Sequence, residues 1–303
     1  MANTLNHTYI HIILILFLLG GSTPYAQTDE QMPLPIGFMD YTFSGISKED
    51  TQVAVDFYLQ KLFKHTGNIP KAISFNDIEV LRQSLKNKDV LMATLSATDF
   101  LRLQPDSLLQ PLIVRITKDG SFFDRYVVLV HKNKQWSSLE DLENASLRVQ
   151  ANNDLISKWI QVELAQKKRP SATQFFDTIT QDLRPSQSVL AVFFGKSDAC
   201  IVNTSVFETM SQLNPQISQQ LVPIITSPEF LTGFLCAHTD MDPNRKKILT
   251  ESTLALSQSE DGRQVIRLFK TQDVTLFQES YFKTVLELFD QYKKYYGTTD
   301  LSF

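Results

Sequence analysis

The chain has 303 residues, of which 43% are hydrophobic and 20% charged, and its 10 glycines and 12 prolines are scattered rather than clustered. This composition excludes collagen-like and intrinsically disordered chains, and the length allows two lobes with a core each. The 29 basic and 33 acidic residues give a formal net charge of −4. Because no basic stripe of the kind that binds a phosphate backbone is present, we do not expect nucleic acid as a partner.

The N-terminus has the features of a secretory leader. An unbroken apolar run covers residues 12–19, and small residues and a Pro-Tyr-Ala sequence follow, ending at Ala26. The run is too short to cross a bilayer core of about 30 Å as a helix. The sequence therefore predicts a signal peptide over residues 1–26, cleaved near Ala26, and a soluble mature protein. The alternative is a buried or membrane-anchoring N-terminal helix.

The next part of the chain alternates short apolar strands with amphipathic helices. Val53, Phe57 and the apolar residues after them recur at helical spacing until Gly67 ends the helix. Asn76 or Asp77 is placed to cap the following helix. The predicted strands here are 35–38, 69–75, 90–95, 112–116 and 126–130.

A second α/β unit follows. Ser138 and Asp141 have a spacing similar to a capping box, with Asp in the place of Glu. Gly195 ends a predicted helix, and Asp242-Pro243 opens another in the preferred cap and first-turn positions. The predicted strands are 147–150, 199–202, 222–225 and 231–237, and the predicted helices are 155–166, 187–194, one from 243, and a last one around Phe282 to Phe289.

Strands that alternate with helices predict an α/β fold with mostly parallel sheets flanked by helices and joined by right-handed crossovers. Two such sets connected by two extended segments predict two lobes around a cleft, with the ligand outside the carboxyl ends of the strands.

No chemistry-bearing motif indicates an enzyme or a cofactor. The chain has no nucleophile elbow, no phosphate-binding glycine-rich loop and no His/Cys spacing typical of zinc, so we expect neither catalysis nor a bound metal or cofactor. Cys200 and Cys236 lie in short apolar segments, which is compatible with a disulfide and equally with two small buried hydrophobic residues.

Four short segments occur in an order that resembles one known family. They are Ser-Leu-Lys-Asn-Lys-Asp-Val-Leu-Met-Ala at 84–93, Ser-Leu-Glu-Asp-Leu at 138–142, Gly-Lys-Ser-Asp-Ala at 195–199 and Asp-Gly-Arg at 261–263. The chain resembles, over roughly residues 33–290, the periplasmic substrate-binding proteins of phosphate, phosphite and phosphonate ABC importers.

The resemblance implies a two-lobed type II periplasmic binding protein whose first lobe is discontinuous. Residues 27–127 and 233–303 would form lobe 1, and 128–232 lobe 2. The implied function is a periplasmic monomer that closes on a small polar solute and delivers it to the permease of an ABC importer. A sensor module that signals ligand occupancy to a membrane receptor would use the same closure, and the sequence does not separate the two.

The ligand loop departs from the family pattern. Members commonly hold the phosphonate with a Ser-Thr-Ser run at a helix N-terminus, where free N–H groups and the helix dipole favour an anion. This chain has Asp154, Leu155 and Ile156 there. We therefore expect phosphonate to be repelled and a neutral or cationic polar ligand to be preferred, held by Asp154 and by aromatic faces.

The other candidate ligand-binding residues also come from matching family positions. They are Tyr41, Thr98, Phe100, Arg125, Asn152, Asn153 and Asn203, whereas Pro185 stands where a histidine is common. Each has a purely structural alternative: the residues 152–154 and Asn203 as helix caps, Tyr41 in the core, and Arg125 in an interlobe ion pair.

Overall fold

The computed structural model describes residues 32–43, 48–63, 66–117, 120–231, 233–267 and 271–298, so the predicted signal peptide lies outside the described residues. In the ranges described, no helix is long and apolar enough to cross a membrane. The strands are β1 (Met32–Met39), β2 (Asn68–Phe75), β3 (Met92–Ser96), β4 (Leu109–Ile116), β5 (Phe123–Asp124), β6 (Tyr126–His131), β7 (Ser146–Gln150), β8 (Thr178–Asp182), β9 (Ala199–Asn203), β10 (Leu221–Thr226), β11 (Phe230–Leu231), β12 (Gly233–His238) and β13 (Asp273–Leu276). The α-helices are α1 (Lys48–Phe63), α2 (Ile78–Lys86), α3 (Ala97–Leu103), α4 (Asp154–Gln166), α5 (Ala172–Phe175), α6 (Pro185–Phe193), α7 (Thr204–Leu213), α8 (Pro215–Gln220), α9 (Pro243–Leu256), α10 (Glu260–Arg267) and α11 (Lys283–Tyr296).

Two sheets organise these elements. The larger sheet has the strand order β13-β4-β12-β3-β1-β2, and the smaller has the order β10-β6-β9-β7-β8. β1 pairs in parallel with β2 and β3, and β7 pairs in parallel with β8 and β9. The pairings of β12, β4, β13, β6 and β10 are antiparallel. The predicted α/β architecture is confirmed, and its parallel pairs lie where strands alternate with helices.

The chain passes between the two sheets at two places that lie side by side. β5 precedes the first strand of the smaller sheet, and β11 precedes the return to the larger one. β5 and β11 pair antiparallel with each other, Phe230 opposite Asp124 and Leu231 opposite Phe123. Two adjacent crossings of this kind form a hinge about which two lobes can rotate.

Helix α1 buries only some of its recurring apolar residues. Val53 and Phe57 are 70% and 49% exposed, whereas Val55, Leu59 and Phe63 are buried in the core. The helix carries apolar residues on two faces, and the face that contains Leu59 packs on the larger sheet. The predicted helix is confirmed, and Val53 and Phe57 are the recurring apolar residues that lie outside its buried face.

Predicted caps agree with the structure at several helix ends. The Asp77 carboxylate accepts a hydrogen bond from the Glu79 N–H at 2.7 Å, and Asp242 does the same for the Arg245 N–H at 2.8 Å with Pro243 in the first turn. These acceptors satisfy N–H groups that have no partner within the helix.

The C-terminal helix packs against α4. The Lys158 ammonium lies 3.6 Å from the centre of the Tyr292 ring, and the Tyr296 hydroxyl donates to the Gln161 carbonyl oxygen at 3.0 Å. The Lys158 side chain is buried, and the aromatic face offsets part of the loss of hydration of its charge. α11 is thereby attached to a helix of the smaller sheet, although its residues come after the return to the larger one.

The two cysteines are free and buried. Cys200 lies in β9 of the smaller sheet and Cys236 in β12 of the larger sheet. Of the two alternatives left open by the sequence, the structure supports two separate buried hydrophobic residues.

Candidate functional site

Strand ends from both sheets carry the candidate residues to one region between the lobes. Tyr41 follows β1 and Thr98 follows β3 in the larger sheet, whereas Asn153 follows β7 and Asn203 ends β9 in the smaller sheet. These are carboxyl ends of parallel strands, the edge at which ligands bind in open α/β sheets. We call the space between these two edges the cleft.

A buried carboxylate organises the larger sheet's side of the cleft. The Tyr41 hydroxyl donates to Asp99 Oδ1 at 2.6 Å, and Ser96 Oγ donates to Asp99 Oδ2 at 2.6 Å. The Asp99 side chain is only 1% exposed. Burial, reinforced by the Asp99 carboxylate, raises the pKa of Tyr41, so its phenol keeps the proton that it donates. Tyr41 is thus held in place as a donor to Asp99.

An ion pair joins the two lobes next to this carboxylate. Arg102 of α3 lies 2.9 Å through Nη2 from Asp154 Oδ2 of α4, and its Nη1 lies 3.8 Å from Asp99 Oδ1. α3 belongs to the larger sheet's lobe and α4 to the smaller sheet's lobe. We call the Arg102–Asp154 pair the interlobe bridge.

The N-terminus of α4 is capped by Asn153 rather than by Asp154. Asn153 Oδ1 accepts from the Ile156 N–H at 3.2 Å, and Asp154 is the first residue of the helix. Asn152, with φ of 56°, adopts the left-handed conformation that turns the chain into this cap. The interpretation of Asp154 as a plain cap is therefore wrong.

The interlobe bridge also changes the charge expected in the cleft. The prediction of a neutral or cationic ligand depended on an uncompensated carboxylate at Asp154. Arg102 compensates that charge at 2.9 Å. The physical reason given for a neutral or cationic ligand is therefore removed, because the sequence does not show the partner of Asp154.

Asn203 and Arg125 lie at the hinge. Asn203 Nδ2 donates to Asp124 Oδ2 at 2.6 Å, and although Asn203 occupies the cap position of α7, its side chain makes no cap hydrogen bond. Arg125 pairs with Glu229 at 2.6 Å between the two crossing segments, with both side chains about half exposed. The cap interpretation of Asn203 is wrong, and the ion-pair alternative for Arg125 is confirmed.

Thr98 and Phe100 point into the lobe rather than toward a ligand. Thr98 is buried, and its hydroxyl lies 2.9 Å from Ser96 Oγ. Phe100 is also buried and meets Phe234 and Phe282 edge to face, at centroid distances of 5.1 and 5.8 Å. The aromatic face expected from Phe100 is used by the core, because two rings from distant parts of the chain enclose it.

Asp99 and Arg102 are the site residues that the sequence analysis missed. The Ser96-x-x-Asp99 spacing of a capping box was available as a signal, and Ser96 does accept from the Asp99 N–H at 3.0 Å as the cap of α3. Nothing in the sequence near Arg102 indicates its partner, since Asp154 lies in the other lobe.

A family model matches most of the described chain. The model of ABC-transporter phosphonate periplasmic substrate-binding proteins matches residues 43–282. The chain belongs to this family. Its members are periplasmic, and their role is to bind substrate for transport. None of the curated protein sequences compared with the chain is similar enough to match it.

Solved structures share the fold at low sequence identity. A binding-protein component of an ABC phosphonate transporter from Pseudomonas aeruginosa has a TM-score of 0.67 and 13% identity, over 90% of each chain. XAC2383 from Xanthomonas citri, bound to ATP, has a TM-score of 0.70 and 12% identity, over 89% of this chain and 100% of that one. PhnD1 from Prochlorococcus marinus, in complex with methylphosphonate, has a TM-score of 0.63 and 16% identity, over 86% and 98%. The two-lobed fold of periplasmic binding proteins is thereby confirmed.

Proposed function

We propose that the protein is a monomer that captures a small polar solute in the cleft and delivers it to the membrane permease of an ABC importer. The family match supports transport over the alternative of a sensor. In this proposal the first lobe comprises residues 27–127 and 233–303, and the second lobe comprises residues 128–232. The two lobes close about the paired strands β5 and β11. We propose one departure from these bounds: because α11 packs on α4, it moves with the second lobe.

The interlobe bridge is the observation that supports this proposal most directly. It links α3 and α4 at the N-terminus of α4, the position that the family resemblance assigns to ligand binding. An ion pair between two lobes contributes only in the closed arrangement, so it favours closure around whatever occupies the cleft. With both side chains partly exposed, we expect it to contribute about 1 kcal/mol or less.

The same feature argues against a simple phosphonate as the solute. Asn153 already occupies the Ile156 N–H, and the Asp154 carboxylate lies at the end of α4 that would attract an anion. Leu155 and Ile156 are buried and have no hydroxyl to donate. A phosphonate would have to displace Asp154 from Arg102 and lie beside a carboxylate.

The shared fold does not determine which solute is bound. Among proteins of this fold, one is described in complex with methylphosphonate and another bound to ATP. The solute of this chain therefore has to be argued from its own cleft residues.

Calorimetry with methylphosphonate and 2-aminoethylphosphonate tests the exclusion of phosphonates. We expect no micromolar binding of either by the wild-type protein. The Asp154→Ser variant should bind methylphosphonate at least tenfold more tightly than wild type, because it gains a hydroxyl donor and frees the Arg102 guanidinium, which Asp154 otherwise occupies. The matched control is Asp290→Ser, at an exposed position of α11. Micromolar binding by wild type, or no gain in Asp154→Ser, would contradict the proposed role of Asp154.

A further inference from the structure

Arg115 is a cation in β4 to which neither the sequence analysis nor the family comparison gives a role. Its neighbours Ile113 and Val114 are buried, whereas the Arg115 side chain is exposed. Within the described residues, no hydrogen bond or ion pair is made by its guanidinium. An arginine has five N–H donors in a fixed planar fork, so this group is available to bind an acceptor.

The strand register places Arg115 on the cleft edge of the larger sheet. Gly233 of β12 pairs with Ser96 of β3, and the next residue, Phe234, pairs with Val114 of β4. Ser96, Gly233 and Arg115 therefore follow one another across three adjacent strands, each about 4.8 Å from the next. Ser96 leads directly into the Tyr41–Asp99–Arg102 group, so Arg115 lies within the reach of a small molecule that contacts this group.

Arg115 also faces the hinge and the second lobe. Loss of hydration lowers the pKa of Arg115, and the nearby Asp124 and Tyr126 act in the opposite direction. Asp124 belongs to β5 at the hinge, and Tyr126 begins β6 of the smaller sheet.

The nearby acidic groups are already bonded to other partners. The Asp124 oxygens accept from Asn203 Nδ2 at 2.6 Å and from the Arg125 N–H at 2.8 Å, and no Asp124 oxygen lies within ion-pair distance of Arg115. The two other arginines of the region are paired, Arg102 with Asp154 and Arg125 with Glu229. Within the described part of the chain, the Arg115 guanidinium is thus left without an ion-pair partner.

We propose that the Arg115 guanidinium binds the carboxylate of a small organic solute that carries a single negative charge at that end. This proposal rests on the proposed solute-binding function and specifies its substrate class. Guanidinium and carboxylate fit each other through two parallel charge-assisted hydrogen bonds. The charge of the Arg115 guanidinium balances one negative charge on the solute. A doubly charged phosphonate would bring a second negative charge close to Asp124, which acts electrostatically on Arg115.

The test compares carboxylates with their uncharged amides. The probes are lactate and lactamide, β-alanine and β-alaninamide, and benzoate and benzamide, which provide a hydroxylated, an amino and an aromatic carboxylate. Binding is followed by titration of backbone amide NMR signals of the full mature chain. We expect at least one carboxylate to bind wild type tenfold or more tightly than its amide.

The decisive comparison in this experiment is between the wild-type protein and variants substituted at Arg115. In Arg115→Gln the preference for the carboxylate should disappear, and in Arg115→Lys part of it should remain because the charge is kept. Arg169→Gln, which removes a partly exposed arginine at the end of α4 paired with Glu143, is the matched control and should behave as wild type. A melting curve for each variant shows that it is folded.

The outcomes separate this inference from the proposed function. If carboxylates and amides bind equally, or if the preference survives in Arg115→Gln, the role of Arg115 is wrong while solute binding in the cleft stands. If no probe of either kind binds, the carboxylate class is wrong. If probes bind but shift only signals outside the cleft, the proposed function fails as well.

Discussion

Replacing Asp99 by alanine is expected to lower the free energy of unfolding by about 3 kcal/mol, because two partly buried hydroxyls lose their charged acceptor. Tyr41 and Ser96 both donate to this carboxylate at 2.6 Å, and its side chain is 1% exposed. Neither hydroxyl has another charged acceptor among the described residues. The loss is measured by urea unfolding followed through tryptophan fluorescence.

Two variants identify the cause of the loss. Asp99→Asn keeps one acceptor oxygen and should lose clearly less stability than Asp99→Ala. Tyr41→Phe removes one donor and leaves the Ser96 contact, so it should cost about 1 kcal/mol. A change below about 0.5 kcal/mol in Asp99→Ala, the range of ordinary surface substitutions, would show that this carboxylate does not organise the site.

Gly262→Ala is expected to destabilise the first lobe by about 2–3 kcal/mol or more. A Cβ at Gly262 would lie 1.8 Å from the Leu256 carbonyl oxygen and 2.8 Å from Ser259 Oγ. The carbonyl belongs to the backbone at the end of α9, so it cannot rotate away as a flexible side chain could. The turn between α9 and α10 would have to open.

The effect is measured against an exposed position of the same helix. Gln264→Ala should leave the midpoint of urea unfolding nearly unchanged, because Gln264 faces solvent and alanine is a good helix former. Equal midpoints for Gly262→Ala and Gln264→Ala would contradict the close approach of α10 to the end of α9.

Short stretches of sequence were sufficient to predict the helices and strands and the residues at which several helices begin. Asp77 and Asp242-Pro243 cap the helices that they were predicted to cap, since a cap depends on three or four consecutive residues. Gly262 shows the limit of such signals. Its Asp-Gly-Arg segment resembles a family pattern, but no local spacing shows that the close approach of the end of α9 requires a glycine there.

The direction of single side chains could not be predicted. α1 carries apolar residues on two faces, and only the position of the sheet decides that Leu59 is buried and Val53 is not. Phe100 stands at a turn that resembles a ligand loop, yet Phe234 and Phe282 enclose its ring. In both cases the deciding atoms come from segments far away in the chain.

The same limit applies to charge in the cleft. The sequence placed Asp154 correctly at the start of its helix, and strand ends brought Asn153 and Asn203 to the cleft edge. Its interpretation as an uncompensated carboxylate failed because Arg102 is supplied by the other lobe. A partner across a cleft leaves no periodicity or spacing by which it could be identified.

Distance measurement between the lobes tests most directly whether the interlobe bridge favours their closed arrangement. Spin labels at Lys247→Cys in α9 and Leu213→Cys at the end of α7 occupy exposed sites, one in each lobe, and the native cysteines are buried. We predict one narrow distance distribution in this labelled protein. Arg102→Glu should shift it to longer distances, because a third carboxylate then faces Asp99 and Asp154, and the added substitution Asp154→Arg should restore the short distance. An unchanged distribution in Arg102→Glu would contradict the account.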